Sequence, residues 1–167
     1  MIVVSDTTPL ISLMKADSLP LLAPLFGEVL LPEAVYAELT SNPRFAEEAK
    51  QISSCAFLRV VTLNEPRAVD ILRRANGLDL GESEAIVYAD GVKADVLLMD
   101  EAKGRAVAKS MGLRIMGTIG VLLFAYEEKL LSVDRTRRAL ETLKLANRHI
   151  SDDLFSYALS KLESQSF

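Results

Sequence analysis

One cysteine, one histidine and no tryptophan among 167 residues remove several chemistries at once. The lone Cys55 excludes an internal disulfide and a cysteine-held zinc, and fits a reducing compartment. The lone His149 excludes His-rich metal centres and leaves a histidine-based triad without support; beside Arg148 it reads as a surface residue. No apolar run reaches the roughly 18 residues of a membrane span. The opening Met-Ile-Val-Val-Ser-Asp lacks the basic region, long apolar region and small-residue cleavage site of a secretory signal. It reads instead as a buried strand, and a soluble cytoplasmic protein with no membrane contact is expected. Excess charge is also scarce. Lys and Arg number 19 against 23 Asp and Glu, a net −4, so any contact with a polyanion must come from a local basic surface.

What is present is a folding composition. Half the residues are hydrophobic and a quarter charged, with 8 Gly and 6 Pro, which excludes disorder and low complexity. A chain of this length can bury roughly 70 % of its unfolded surface without a disulfide or metal. One domain over 1–167 is expected, with a sheet core to about residue 130 and C-terminal helices over 132–162. Short, nearly all-apolar strands are expected at Ile2–Ser5, Glu28–Leu31, Leu58–Val61, Val96–Met99 and Leu113–Met116. Between them lie helical patterns: Thr8–Lys15, Ser18–Phe26, one starting at Pro32, Phe45–Ser54, Glu65–Asn76, Glu82–Val92 and Ala102–Met111. Gly77–Gly81 reads as a turn, and Gly117–Glu128, Ser132–Asn147 and Ser151–Leu162 form a helical C-terminal third. Apolar strands alternating with helices indicate an α/β fold with a parallel sheet buried on both faces.

With histidine and cysteine excluded, carboxylates remain for chemistry. Asp6 follows the first strand and Asp100 the fourth, and open parallel sheets bind ligands outside their strand carboxyl ends. Either acid could also be a helix N-cap. Glu82 shares a helical face with Ala85, Ile86 and Ala89, so a carboxylate lies on the buried stripe. A place near the positive helix end explains an acid there, but not its apolar face. Glu38 shares a face with Ala34 and Val35, or sits exposed at the helix edge. Four gathered acids need a cation, and oxygen donors alone select Mg²⁺ or Mn²⁺. Such an ion supports phosphodiester hydrolysis among other reactions. A phosphotransferase with Asp6 as nucleophile would expect a second Asp at position 8, which holds Thr8.

The ordered set of these segments resembles the PIN domain family over about residues 2–125. Val-Ser-Asp6-Thr7-Thr8-Pro-Leu-Ile is similar to the family's opening after its first strand, and Leu-Pro-Glu-Ala-Val-Tyr-Ala-Glu38-Leu to its second acidic segment. In Leu78-Asp-Leu-Gly81-Glu82-Ser-Glu-Ala85 the third acid is Glu82, eighteen residues before Asp100 and seven before Ala89, where many members carry Asp. Leu-Leu-Met-Asp100-Glu101 resembles the fourth segment, and Gly117-Thr118-Ile-Gly120 the one after strand five. The Gly-Glu-Ser-Glu-Ala and Gly-Thr-Ile-Gly-Val forms are similar to a prokaryotic branch related to VapC-type toxins.

The resemblance implies a three-layer fold with sheet order 3-2-1-4-5, Mg²⁺ or Mn²⁺, RNA cleavage, a homodimer and, for toxins, a small antitoxin partner. It assigns Asp6, Glu38, Glu82 and Asp100 as metal-holding and catalytic, with Thr8 and Thr118 in support. Thr8 is placed to bond a metal water or Asp6, or to cap the helix before Pro9. No acid occurs from Ala102 to Tyr126, whereas Lys103, Arg105, Lys109 and Arg114 do, and Lys103 and Arg105 are placed to meet RNA phosphates. A second basic run, Arg135 to Arg148, reads as a solvated helix face. The expected function is a metal-dependent endoribonuclease, possible as a toxin of a toxin–antitoxin pair. The alternative is a catalytically silent PIN-like module that binds RNA or protein.

Overall fold

The computed structural model describes residues 1–146 and 150–164. Arg148, His149 and the expected end of a helix at Asn147 lie outside the described residues. Five strands, β1 (Val3–Ser5), β2 (Val29–Pro32), β3 (Leu58–Val61), β4 (Val96–Leu98) and β5 (Ile115–Met116), form one all-parallel sheet in the order β3-β2-β1-β4-β5. Parallel neighbours need crossover helices, and these cover the faces of the sheet in a three-layer α/β arrangement. β1, β2 and β4 are buried along their whole length, which is why they are runs of Val and Leu without alternation. β3 is an edge strand, and its exposed Arg59 breaks the apolar run there.

The helices follow the sequence pattern closely. They are α1 (Thr7–Lys15), α2 (Leu22–Phe26), α3 (Glu33–Thr40), α4 (Ala46–Ser54), α5 (Pro66–Asn76), α6 (Leu80–Gly91), α7 (Ala102–Ser110), α8 (Thr118–Glu127), α9 (Val133–Ala146) and α10 (Asp152–Ser164). α6 packs on β1, β2 and β4, with Ala85, Ile86 and Ala89 fully buried. Phe124 and Tyr126 pack on the core, Phe124 with its ring 6.0 Å from that of Phe26. Most boundaries move by a residue or two, and the expected Ser18–Phe26 helix divides into a single turn at Leu19–Leu21 and α2; the shift that touches the crevice is at α6. α6 starts at Leu80, so Gly81 belongs to the first helical turn rather than to the preceding turn.

After β3 the chain returns to the other side of β1, so the order reverses between β1 and β4. Ser5 is in register with Leu98, and the Asp6 N–H donates to the Leu98 carbonyl at 2.9 Å. The residues just past these two strands therefore share the crevice where such sheets bind ligands. Among the described residues no single helix is long and apolar enough to cross a membrane.

Candidate active site

Asp6 leaves β1 at the crevice and is only 3 % exposed. It stands at the N-cap position of α1, yet its side chain makes no capping hydrogen bond. Burial pushes its carboxyl up to about 7; the Thr7 backbone N–H opposes this, and the charges of Asp79, Glu82 and Glu38 add to it. The neighbours matter as much as the value, because they place four carboxylates from three segments in one field.

Glu82 enters that field from the first turn of α6. It and Asp79 form a reciprocal capping box: the Glu82 N–H donates to Asp79 Oδ1 at 2.7 Å, and the Asp79 N–H donates to Glu82 Oε2 at 3.0 Å. The box satisfies two helix-end donors and turns Glu82 inward, where it is 8 % exposed. Burial, first, then the charges of Asp79, Glu101 and Glu38 raise its carboxyl, against the Asp79 N–H. Glu38 reaches the same place from α3. The residue is exposed, but the Thr7 hydroxyl donates to its Oε2 at 2.7 Å. Gly81 makes room for it, since a Cβ there would lie 2.9 Å from Glu38 Oε2 and 3.6 Å from Asp79 Oδ1.

Asp100 is half-buried beyond β4 and is fixed differently. Both oxygens are engaged by Thr118 at the start of α8, Oδ1 by its N–H at 2.7 Å and Oδ2 by its hydroxyl at 2.5 Å. A side chain at Gly117 would collide with Asp100 Oδ1, at 2.8 Å. Arg105 donates to the Met99 carbonyl at 2.8 Å and lies beside the same glycine. Lys103 reaches the other way, its Nζ 3.5 Å from the Cβ position of Gly77.

Asp6, Glu38 and Glu82 are thus brought together, and Asp100 stands on the neighbouring strand end, tied to Thr118. Two residues of the site had no part in the sequence expectation. Asp79 was hidden inside a stretch read as a turn, although its spacing to Glu82 is that of a capping box. Thr7, rather than Thr8, is the hydroxyl that bonds an acid; Thr8 is exposed and lines a cavity beside Asp100 and Thr118. A hydroxyl beside Asp6 looks the same in sequence whether it caps or bonds an acid.

A family model described as PIN domain matches residues 2–164. The chain belongs to the PIN domain family. Searches of curated proteins and of solved structures returned no match. The family assignment places this PIN domain among nuclease-type folds, a hydrolase at the coarse level, and PIN domains typically use divalent metal ions. The donor chemistry here fits such an ion, the four acids offering oxygen donors alone. The carboxylates share a field rather than a closed coordination sphere: among the described residues no three His, Cys, Asp or Glu side chains already surround one metal-sized point.

Proposed function

We propose that this PIN domain is an endoribonuclease that holds Mg²⁺ or Mn²⁺ through Asp6, Glu38, Glu82 and Asp100, directly or through water, and acts as a toxin of the VapC-related kind. A homodimer and a small antitoxin partner belong to the same proposal. The observation that carries it is Asp6, a carboxyl at the β1/β4 switch point that burial, with a smaller addition from the charges of Asp79, Glu82 and Glu38, pushes up to about 7. Such a group is unfavourable for the empty fold and favourable beside a cation. When bound, the ion supplies a water of lowered pKa and neutralises charge on the phosphodiester. Thr7 holds Glu38, the capping box holds Glu82, and Thr118 holds Asp100, so three of the four acids are oriented by a neighbour before anything binds. Arg105 and Lys103 flank the acids and orient the RNA backbone.

The test is Mn²⁺ titration by calorimetry together with an RNA cleavage assay on wild type and Asp6→Asn. The variant nearly preserves volume and should fold. Metal affinity and cleavage should both fall by at least ~10–100-fold, the loss that even outer-shell changes bring to metal sites. An Asp6→Asn protein that binds Mn²⁺ as tightly as wild type would remove Asp6 from the site. The absence of three ready-gathered ligands among the described residues favours a second reading, a silent module. RNA binding without cleavage, in the presence of Mg²⁺ or Mn²⁺, would select it.

A further inference from the structure

The wall that carries Asp100 and Thr118 continues away from the other acids into a cavity of about 630 Å³, well within the roughly 300–1,000 Å³ of small-molecule sites. Its lining differs in chemistry from element to element. Thr8 and Ser12 of α1, with Glu101 and Arg105 next to Asp100, supply polar groups, whereas α8, α9 and α10 supply side chains such as Leu123, Leu143, Leu154 and Tyr157. Leu154 and Tyr157 stand at its rim, 43 % and 53 % exposed. Lys161 Nζ lies 5.3 Å from the Tyr157 ring centre, so the rim offers an aromatic surface and a cation side by side.

We propose that this cavity is a nucleobase subsite: the base next to the reacting phosphodiester docks against Leu154 and Tyr157, while Arg105 faces the phosphate. The inference rests on the ribonuclease reading and adds to it the part of the substrate that the acids cannot recognise. The shape of the chemistry selects the ligand. A purely apolar guest would cover the hydroxyls of Thr8 and Ser12 and the charges of Arg105 and Glu101 while offering them no hydrogen bond. A phosphate alone would leave the apolar wall wet and would meet the exposed Glu101 carboxylate. A base has flat apolar faces for the inner wall, a hydrogen-bonding edge for the hydroxyls, and an attached phosphate that points back toward Arg105 and the acids. The surrounding elements are built for a fixed wall: α8 is anchored at its start by Asp100, and α10 is tied to α9 through Lys144, which donates to the Ile150 carbonyl and pairs with Asp152.

The experiment is methyl NMR on the isoleucine and leucine side chains of the full chain, titrated with the four nucleoside 5′-monophosphates and with ribose 5-phosphate as the base-free control. At least one nucleotide should shift the Ile119, Leu123 and Leu154 methyls, and ribose 5-phosphate should not. Tyr157→Ala should weaken that nucleotide ~5–100-fold, the fold-change that corresponds to removing one base–aromatic stack, and Tyr157→Phe should restore it. Both positions are exposed, so folding is checked simply by an unchanged amide spectrum. Equal shifts from ribose 5-phosphate, no shift of these methyls by any nucleotide, or an undiminished affinity in both Tyr157→Ala and Leu154→Arg would overturn the subsite. This readout needs no turnover. A base-dependent shift in a protein that cleaves no RNA would therefore keep the subsite and reject the ribonuclease reading.

Discussion

Desolvation, ahead of the charges of Asp79, Glu82 and Glu38, lifts Asp6 to about 7, whereas an aspartate in the unfolded chain titrates near ~3.9. Between those two values the native state holds a proton that the unfolded state has lost. The contribution of Asp6 to stability is therefore fully present below pH ~4 and is lost as pH rises through about 7. Asp6→Asn removes that dependence. In metal-free buffer the variant should be the more stable protein at pH 8, by at most ~4 kcal/mol at ~1.4 kcal/mol per pKa unit, and the two should converge near pH 4. Urea unfolding with chelator at several pH values checks this; a constant gap across the range would mean that Asp6 is ionised throughout. Gly81→Ala separates site from fold in the same way. Its Cβ would stand 2.9 Å from Glu38 Oε2, the free end of a flexible side chain, so the carboxylate yields and the backbone does not. Alanine also gains up to ~1 kcal/mol of helix propensity over glycine. The melting temperature should hold or rise while Mn²⁺ affinity falls, by roughly 10-fold or more.

The placing of α3 depends on a residue from another helix. Its N-cap is Pro32, which has no side-chain cap to offer, and the Ala34 N–H instead donates to the Glu84 carboxylate of α6 at 2.9 Å. Glu84 thus caps the helix that carries Glu38. Glu84→Ala should cost ~0.5–2 kcal/mol, the range for a lost N-cap, and should lower cleavage through Glu38; Glu84→Gln keeps an acceptor and should recover most of both. Denaturant unfolding alongside the cleavage assay measures the two effects. This long-range cap had no sequence signal, because its partners are 50 residues apart. The elements themselves were legible, since fully buried parallel strands leave unbroken runs such as Val-Leu-Leu, and the crossover helices leave a 3.6-residue stripe. The strand order was not contained in periodicity and came through the family resemblance. Where the reading slipped, around Asp79 and Gly81, two rules competed. Glycine signals a turn, but the Asp-x-x-Glu box started the helix earlier and drew the glycine into it. Asp6 and Glu82 were legible as acids on buried positions, whereas Glu38 is exposed and is turned toward the site by the Thr7 hydroxyl.

The whole molecule carries a net −4 and gathers acids at its crevice, so the proposed ribonuclease activity would require a minority of basic groups to receive the RNA. The two basic runs are not equivalent. On the second, Arg137 pairs with Asp134 at 3.9 Å and Lys144 with Asp152 at 2.8 Å, which suits an ordinary solvated face. On the first, Arg105 is half-buried in the cavity wall beside Asp100, and Lys103 extends to the Gly77 loop that leads into Asp79 and Glu82. They bracket the acids from two sides, as a phosphate chain crossing the crevice would require. Replacing both with alanine should weaken RNA binding with little dependence on sequence. It should also flatten the log–log salt dependence by ~0.7 for each phosphate of a single strand that is no longer neutralised. Arg135→Ala/Arg138→Ala, on exposed positions of α9, should leave the slope unchanged. Metal affinity should hold in both double variants, because none of the four side chains is an oxygen donor. RNA affinity measured at several salt concentrations, with the divalent ion held constant, decides the matter. A slope for Lys103→Ala/Arg105→Ala equal to that of wild type would take the RNA away from this face, and a flattening in the α9 variant instead would move its path onto the C-terminal helices.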